Sequence, residues 1–406
     1  MTTSQAAAVR RPATSRSVAP VTAEELFRRA EDLVPVLRAA AEDIERARRL
    51  PAAVVEQLRD AGVFRMGVPA EKGGPGLDSV QQTEVVEILA RGDASAAWCA
   101  MIGMDTPLYA QFLPESVARD ELGDPDIVTA GLILPLGRAD RVPGGYRVTG
   151  RWQFGSGITH ADWVVAGCFV HRDGRPEPGP EGAPGHWRIM LARREEFEIL
   201  DTWHTTGLAG SGSCDYQAQD LFVPEEHTFS LGHPRTPGPH ATPEAILRNM
   251  PGVPLGVARA ALDHVRELAA GRTDRATDTP WADTYRVQLA VAESEMELGA
   301  ARHAVYGSLR RQAQLIDAGG ELGRDDRVDT VLARVNAFRV ARTIVGRLYD
   351  LVATTAVYRP SPLDRWLRDL TTMRQHVIAQ DQVLQSAGAH LLGGTPHNPF
   401  SLGIVA

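Results

Sequence analysis

The feature that most constrains this chain is a double switch in the spacing of its apolar residues. Through residues 22–122 they recur every three or four positions, as in "TAEELFRRAEDLVPVLRAAAEDIERARRLPAAVVEQLRDAGVF". Between 126 and 230 they alternate or run in short blocks: "GGYRVTGRW", "DWVVAGCFV", "HWRIMLARR" and "AQDLFVP". From 243 to 393 the helical spacing returns in longer stretches. A period of 3.6 puts apolar side chains on one helix face, and a period of two puts them on one strand face. The expected order is therefore helices, strands, helices.

The last part is the most regular. Val287, Val291, Leu298, Val305, Leu309 and Ile316 form one stripe, and Val328, Val331, Leu332, Val335, Phe338 and Val345 form another. Such stripes are buried against one another, which predicts a four-helix bundle. The expected fold is α+β and mainly α. It comprises a disordered leader (1–20), an N-terminal helical domain (21–125), a central β-barrel or sandwich domain (126–235) and a C-terminal helical bundle (236–406). Thr22 and Glu25 predict a capping box at the first helix. Gly144-Gly145 predicts a hairpin turn, and the Pro- and Gly-rich stretches 69–78 and 172–185 predict loops.

Composition narrows the function classes. Apolar residues make up 43%, charged residues 23%, and the formal net charge is −8. An acidic balance without a Lys/Arg run argues against a nucleic-acid partner. No apolar run approaches the ~18 residues of a membrane span, and "MTTSQAAAVRRPATSRSVAP" lacks a signal-peptide core. Three widely spaced cysteines, Cys99, Cys168 and Cys214, fit small packing residues in a reduced, cytoplasmic setting.

Known chemical motifs are mostly missing. There is no GxGxxG after a strand, no phosphate-binding GxxxxGK[ST], no HExxH or Cys/His ligand set, and no GxSxG elbow. No metal site and no nicotinamide site are expected. What remains is "WQFGSGITHADW" (152–163), in which Ser156 stands between Gly155 and Gly157. Read alone, this is either a tight turn or a place where the backbone approaches something flat. The loop "GLAGSGS" (207–213) is equally open: a flexible turn, or a cover over a ligand.

Four segments carry a resemblance that bears on Ser156: "DAGVFRMGVPAEKGGPGLD", "GGYRVTGRWQFGSGITHADW", "TWHTTGLAGSGSCDY" with "LFVPEE", and "PLDRWLRDLTTMRQH". In this order, across about residues 25–393, they resemble the acyl-CoA dehydrogenase fold. Within it they are more similar to the oxygenase components of two-component flavin-dependent monooxygenases. Dehydrogenases of this fold commonly place a carboxylate base eight residues after the Asp of an Arg-Asp pair. Here that pair is Arg368-Asp369 and the eighth residue is Val377, while His376 stands where similar hydroxylases carry a catalytic histidine.

The resemblance implies reduced FMN or FAD, not covalently held, with O2 as co-substrate and activation at flavin C4a. A separate NAD(P)H:flavin reductase would supply the flavin. Ser156 and His376 are the expected catalytic residues, with His376 on the last long helix. The expected flavin contacts are Trp152, Phe154, Gly155, Ser156, Leu134, Pro135, Gly137 and, at the phosphate end, Arg286. Trp98, Ser211, Ser213 and Asp105 are expected at the substrate. Asp105 stands where aromatic hydroxylases of this branch often carry a histidine, and an acid there suits a cationic amine. The expected reaction is therefore N-oxygenation of an amine or amino sugar. Phenol or polyketide hydroxylation and sulfur oxidation stay open, as do an acyl-CoA dehydrogenase with a base relocated to Glu293, Glu295 or Glu297, and a non-catalytic scaffold. By analogy the assembly is a homotetramer.

Overall fold

Helical spacing in the first third produces six helices: α1 (Ala23–Ala47), α2 (Ala52–Ala61), α3 (Ser79–Ala90), α4 (Ala94–Gly103), α5 (Thr106–Ala110) and α6 (Glu115–Leu122). These come from a computed structural model, which describes residues 20–402 except 180–184, 233, 237–240, 243, 275 and 360. The expected leader and part of the 172–185 loop lie outside the described residues. Thr22 caps α1 by accepting from the Glu25 N–H at 3.2 Å. The reciprocal half of the expected box is not made, because the Glu25 carboxylate bonds Arg28 and Arg29 instead. Charge-assisted bonds to guanidinium outcompete a bond to one backbone amide. A complete box forms at α3, between Asp78 and Gln81. Asp93 caps α4, its carboxylate accepting from the Ala96 N–H at 2.8 Å.

The alternating segment forms β1 (Thr129–Val142), β2 (Gly145–Gly155), β3 (Trp163–Arg172), β4 (Arg175–Pro176), β5 (Trp187–Arg193), β6 (Glu198–Leu200), β7 (Cys214–Pro224) and β8 (Thr228–Phe229). Their order in one sheet is β6-β7-β2-β1-β3-β5-β8, with β4 on β3. This path has two ends, so the sheet is open and does not close into the barrel expected as one option. β1 and β3 run parallel; the other pairs are antiparallel. The first hairpin turns on Pro143-Gly144, one residue earlier than expected, since Val142 pairs with Gly145. Gly144 has φ 81°, and Pro followed by a left-handed Gly is the signature of a type II turn. β1 is bulged between Leu132 and Gly137, which lifts Leu134 and Leu136 out to solvent.

The C-terminal elements are α7 (Ala245–Arg248), α8 (Gly252–Gly271), a small ribbon of β9 (Thr273–Asp274) and β10 (Thr279–Pro280), α9 (Tyr285–Asp317), α10 (Arg324–Val352), α11 (Leu363–Met373) and α12 (Asp381–Leu391). α10 lies at the centre, packed against α8, α9, α11 and α12. Its buried face is the expected stripe: Val328, Val331, Val335, Phe338 and Val345. The fourth bundle position is filled by two helices, because the chain breaks between Met373 and Asp381. One apolar core runs through helices, sheet and bundle, joining Leu37, Trp98, Val164, Leu262, Val345 and Leu370.

Candidate functional site

Ser156 lies just past the end of β2, where the chain turns over Gly157, whose φ of 75° suits glycine. α4 brings Trp98 to it, and the 207–213 loop brings two more serines. Trp98 Nε1–H donates to Ser156 Oγ at 3.1 Å. Ser156 Oγ lies 2.7 Å from Ser213 Oγ, and Ser213 Oγ lies 2.7 Å from Ser211 Oγ. Ser211 Oγ–H donates to the Leu208 carbonyl at 2.7 Å. All three hydroxyls are buried.

The chain of hydroxyls has a free choice of direction. Ser211 spends its proton on Leu208, so Ser213 donates either to Ser211 or to Ser156. When Ser213 donates to Ser156, the Ser156 proton is released for a ligand. Ser211 and Ser213 therefore position Ser156. At 1% and 3% exposure, they are not themselves open to a substrate, as had been expected.

His376 closes the other side. Its ring meets the Trp98 ring edge-on, with centroids 5.5 Å apart. It does not sit on a helix: it caps the short turn Val377–Ala379 in the break between α11 and α12. There Nδ1 accepts from the Ile378 N–H at 3.4 Å, which leaves the neutral ring's proton on Nε2. Burial, reinforced by the nearby Arg334 charge, lowers the half-buried imidazole to about 4. His376 is thus neutral at working pH, by a wider margin than an ordinary histidine.

The 207–213 loop is neither a flexible turn nor an outer lid. It is wedged between helices, and its glycines are dictated by close approach. A Cβ on Gly207 would meet the Arg368 carbonyl at 2.1 Å, and one on Gly210 would meet Ile44 Cγ2 at 2.1 Å. Leu208, in left-handed backbone (φ 49°), is tied on both sides. Its N–H donates to the Asp369 carboxylate at 2.6 Å, and its carbonyl accepts from Trp203 Nε1 at 2.9 Å. Burial, then the neighbouring Asp93 charge, raises Asp369 to about 7. Asp93, capping the helix that carries Trp98, rises to about 6, chiefly by burial.

Several expected contacts are placed elsewhere. Trp152 is fully buried, donates to the Gly167 carbonyl at 2.8 Å and stacks on Tyr216; it is core, not a cofactor wall. Gly137 makes room for it, since a Cβ there would lie 2.2 Å from the indole. Gly155 is buried against Cys214 and Ile158. Arg286 donates to the Asp350 and Leu351 carbonyls at 3.0 and 3.3 Å, satisfying the C-terminal end of α10. Asp105 lines a separate cleft with Gln82, Met104 and Asn249. Burial raises its carboxyl well above the usual range, and no cation pairs with it among the described residues. The relocated-base candidates are occupied by cations: Glu295 bonds Arg259, Glu297 bonds Arg347, and Glu293 lies 3.5 Å from Arg347.

Two features fit a flat heteroaromatic ring beside Ser156. Phe154 is held at φ 61° with its ring 58% exposed and edge-on to Trp203; such backbone is strained for a bulky residue. Leu134 is 40% exposed beside Pro135 at the β1 bulge. Sequence reasoning missed a buried charge. Arg334, on α10, is 2% exposed, and Nε and Nη2 have no hydrogen-bond partner among the described residues. Its signal was in the sequence: it falls three residues after Val331 and four before Phe338, inside the apolar stripe.

Comparison with known proteins accords with this arrangement. Models of the acyl-CoA dehydrogenase N-terminal and C-terminal domains match residues 24–114 and 251–381. An indole-3-acetate monooxygenase from Pseudomonas putida is 33% identical, the match covering 88% of this chain and 91% of that protein. The flavin-dependent monooxygenase oxygenase subunit HsaA of Rhodococcus jostii is 29% identical over 86% of this chain and 93% of its own length. The solved structure of XiaF from Streptomyces, in complex with FADH2 and glycerol, superposes with a TM-score of 0.84 at 25% identity, covering 92% of this chain and 96% of that one. The chain belongs to the flavin-dependent monooxygenases built on the acyl-CoA dehydrogenase fold, and it is an enzyme of that class.

Proposed function

We propose that this protein is the oxygenase component of a two-component system that hydroxylates a small aromatic substrate. A separate NAD(P)H:flavin reductase supplies reduced FMN or FAD, held without a covalent bond, and O2 is the co-substrate. The observation that carries this reading is the Trp98–Ser156–Ser213–Ser211 chain facing His376, with no free carboxylate base beside it among the described residues. The relatives named for an aromatic acid and for an oxygenase subunit support it, as does the FADH2 complex of XiaF.

Bound reduced flavin supplies the electrons and the centre at which oxygen is activated. Phe154 and Leu134 offer apolar surface to its ring, and Ser156 offers a hydroxyl whose proton is steered by Ser213. Trp98 fixes that hydroxyl, and its ring fills the space between Ser156 and His376. Filling that space excludes water, which would otherwise discharge activated oxygen unproductively. His376, neutral and with Nδ1 engaged by the Ile378 N–H, presents its Nε2–H to hydrogen-bond and orient a substrate oxygen at neutral pH. Of the two carboxylates that flank it in sequence, Asp381 accepts from Arg339 and Arg374 and Asp369 is committed to the Leu208 N–H, so neither is a free base for proton removal as in acyl-CoA oxidation.

Amine N-oxygenation rests on Asp105 alone. That residue lines a different cleft, where burial favours its neutral form. Turnover assays on matched phenol, indole and amine panels test the choice. Aromatic hydroxylation retained in Asp105→Asn is the expected result. Amine oxidation that disappears in Asp105→Asn would replace the aromatic reading.

A further inference from the structure

We propose that Arg334 is a substrate-recognition residue that receives the carboxylate of an aromatic acid. The inference rests on the aromatic-oxygenase reading above and narrows its substrate class.

Arg334 projects from the buried face of α10, and α10 packs against the Val377–Ala379 turn that His376 caps. Its guanidinium is 2% exposed and makes no hydrogen bond to a described residue. Buried guanidinium groups are ordinarily paired, because an unpaired buried charge is strongly unfavourable. The two buried orphan atoms, Nε and Nη2, belong to one edge of the guanidinium. That edge presents two parallel N–H bonds, which match the two oxygens of a carboxylate.

The acid nearest in charge does not fill the role. Glu244 accepts from Arg248 at 3.2 Å and lies 3.5 Å from Arg327. Both contacts fall on Oε1; Oε2 is buried without a partner among the described residues and makes no hydrogen bond to Arg334, on which the carboxylate acts only at longer range. Lysine in place of Arg334 would keep the charge but lose the flat two-pronged edge.

An anion there has two possible sources, a substrate carboxylate or a flavin phosphate, and binding measurements separate them. Kd is measured for indole-3-acetate, phenylacetate and benzoate against their neutral amides, and for FMN against riboflavin, in the wild type, Arg334→Met and Arg334→Lys. The wild type is expected to prefer at least one acid over its amide. R334M is expected to weaken that acid by about 10- to 100-fold, to change its amide by less than about threefold, and to leave the FMN-to-riboflavin ratio unchanged. R334K is expected to restore part of the affinity for the acid. Failure of the wild type to prefer any acid overturns the assignment, and this arm holds even if R334M does not fold. So does equal weakening of acid and amide, or an effect confined to FMN. These readouts need no turnover, whereas the aromatic-oxygenase reading stands or falls on turnover of the neutral aromatics.

Discussion

The surroundings of Ser156 and of Arg334 are opposite solutions to burying polar groups. Within the Ser156 chain the groups are partnered to one another, indole N–H to hydroxyl, hydroxyl to hydroxyl, hydroxyl to carbonyl, although the nearby Thr159 hydroxyl and both His160 ring nitrogens have no partner among the described residues. At Arg334 a full charge is buried with an entire edge unpaired among the described residues. A satisfied network holds one geometry and rigidifies its surroundings. An unsatisfied one favours whatever ligand completes it. The comparison therefore assigns positioning to the serine side and recognition to the arginine side, with His376 between them.

Removing the imidazole should have the largest effect. His376→Ala is expected to lower turnover by about 10²–10⁴-fold, with flavin affinity unchanged by titration; equal loss of flavin binding would make His376 a structural residue. Next comes the partnered network. Ser156→Ala leaves the Trp98 Nε1–H without its partner and the Ser213 hydroxyl with Ser211 alone. It is expected to shift O2 consumption from product towards hydrogen peroxide, read as a fall in the ratio of product formed to O2 consumed. Trp98→Phe keeps an aromatic ring against His376 but deletes the donor, and should reproduce part of that shift. Its stability cost should be only about 1 kcal/mol.

The loop that carries the serines can be broken without touching them. Gly210→Ala places a methyl against Ile44 and is expected to cost about 1–3 kcal/mol by chemical denaturation. It should also disturb O2 coupling, since the same loop aims Ser213 at Ser156. If stability falls and coupling does not, the loop supports the fold alone.

The smallest expected effect is on pH dependence. Asp369 and Asp93 have folded-state values raised to about 7 and about 6. Between an ordinary aspartate value and these, the folded protein holds protons that the unfolded chain releases. Stability therefore falls as pH rises from about 4 to about 7. Asp369→Asn keeps an acceptor for the Leu208 N–H and removes one titrating group, so it should flatten that slope in denaturation curves at pH 5 and pH 8. An unchanged slope would place the titration elsewhere.

Much of the architecture was legible because periodicity reports which faces are buried. The strands around Tyr146, Val164 and Leu191 and most of the two bundle stripes are buried as their spacing implied, with Val291, Ile316 and Leu332 only half-buried. The meeting of Trp98, Ser156, Ser213 and His376 was legible only through resemblance, since no local spacing joins positions so far apart in the chain. Trp152 and Gly137 were misassigned for a physical reason. A glycine beside an aromatic is needed when a ring packs inside a sheet as much as when a backbone approaches a ligand. The break that carries His376 was hidden because the Arg374–Gln380 stretch contains no Gly or Pro. Arg334 was passed over as one more helix arginine, although its place in an apolar stripe marks it as buried.

The most direct test is a single turnover with chemically reduced flavin, isotopically labelled O2 and an aromatic acid, with the product weighed by mass spectrometry. The account predicts one labelled oxygen atom in the ring product of the wild type, and loss of that label to peroxide in Ser156→Ala and His376→Ala. Label retained in both variants, or flavin reduced anaerobically by an acyl thioester, would contradict it.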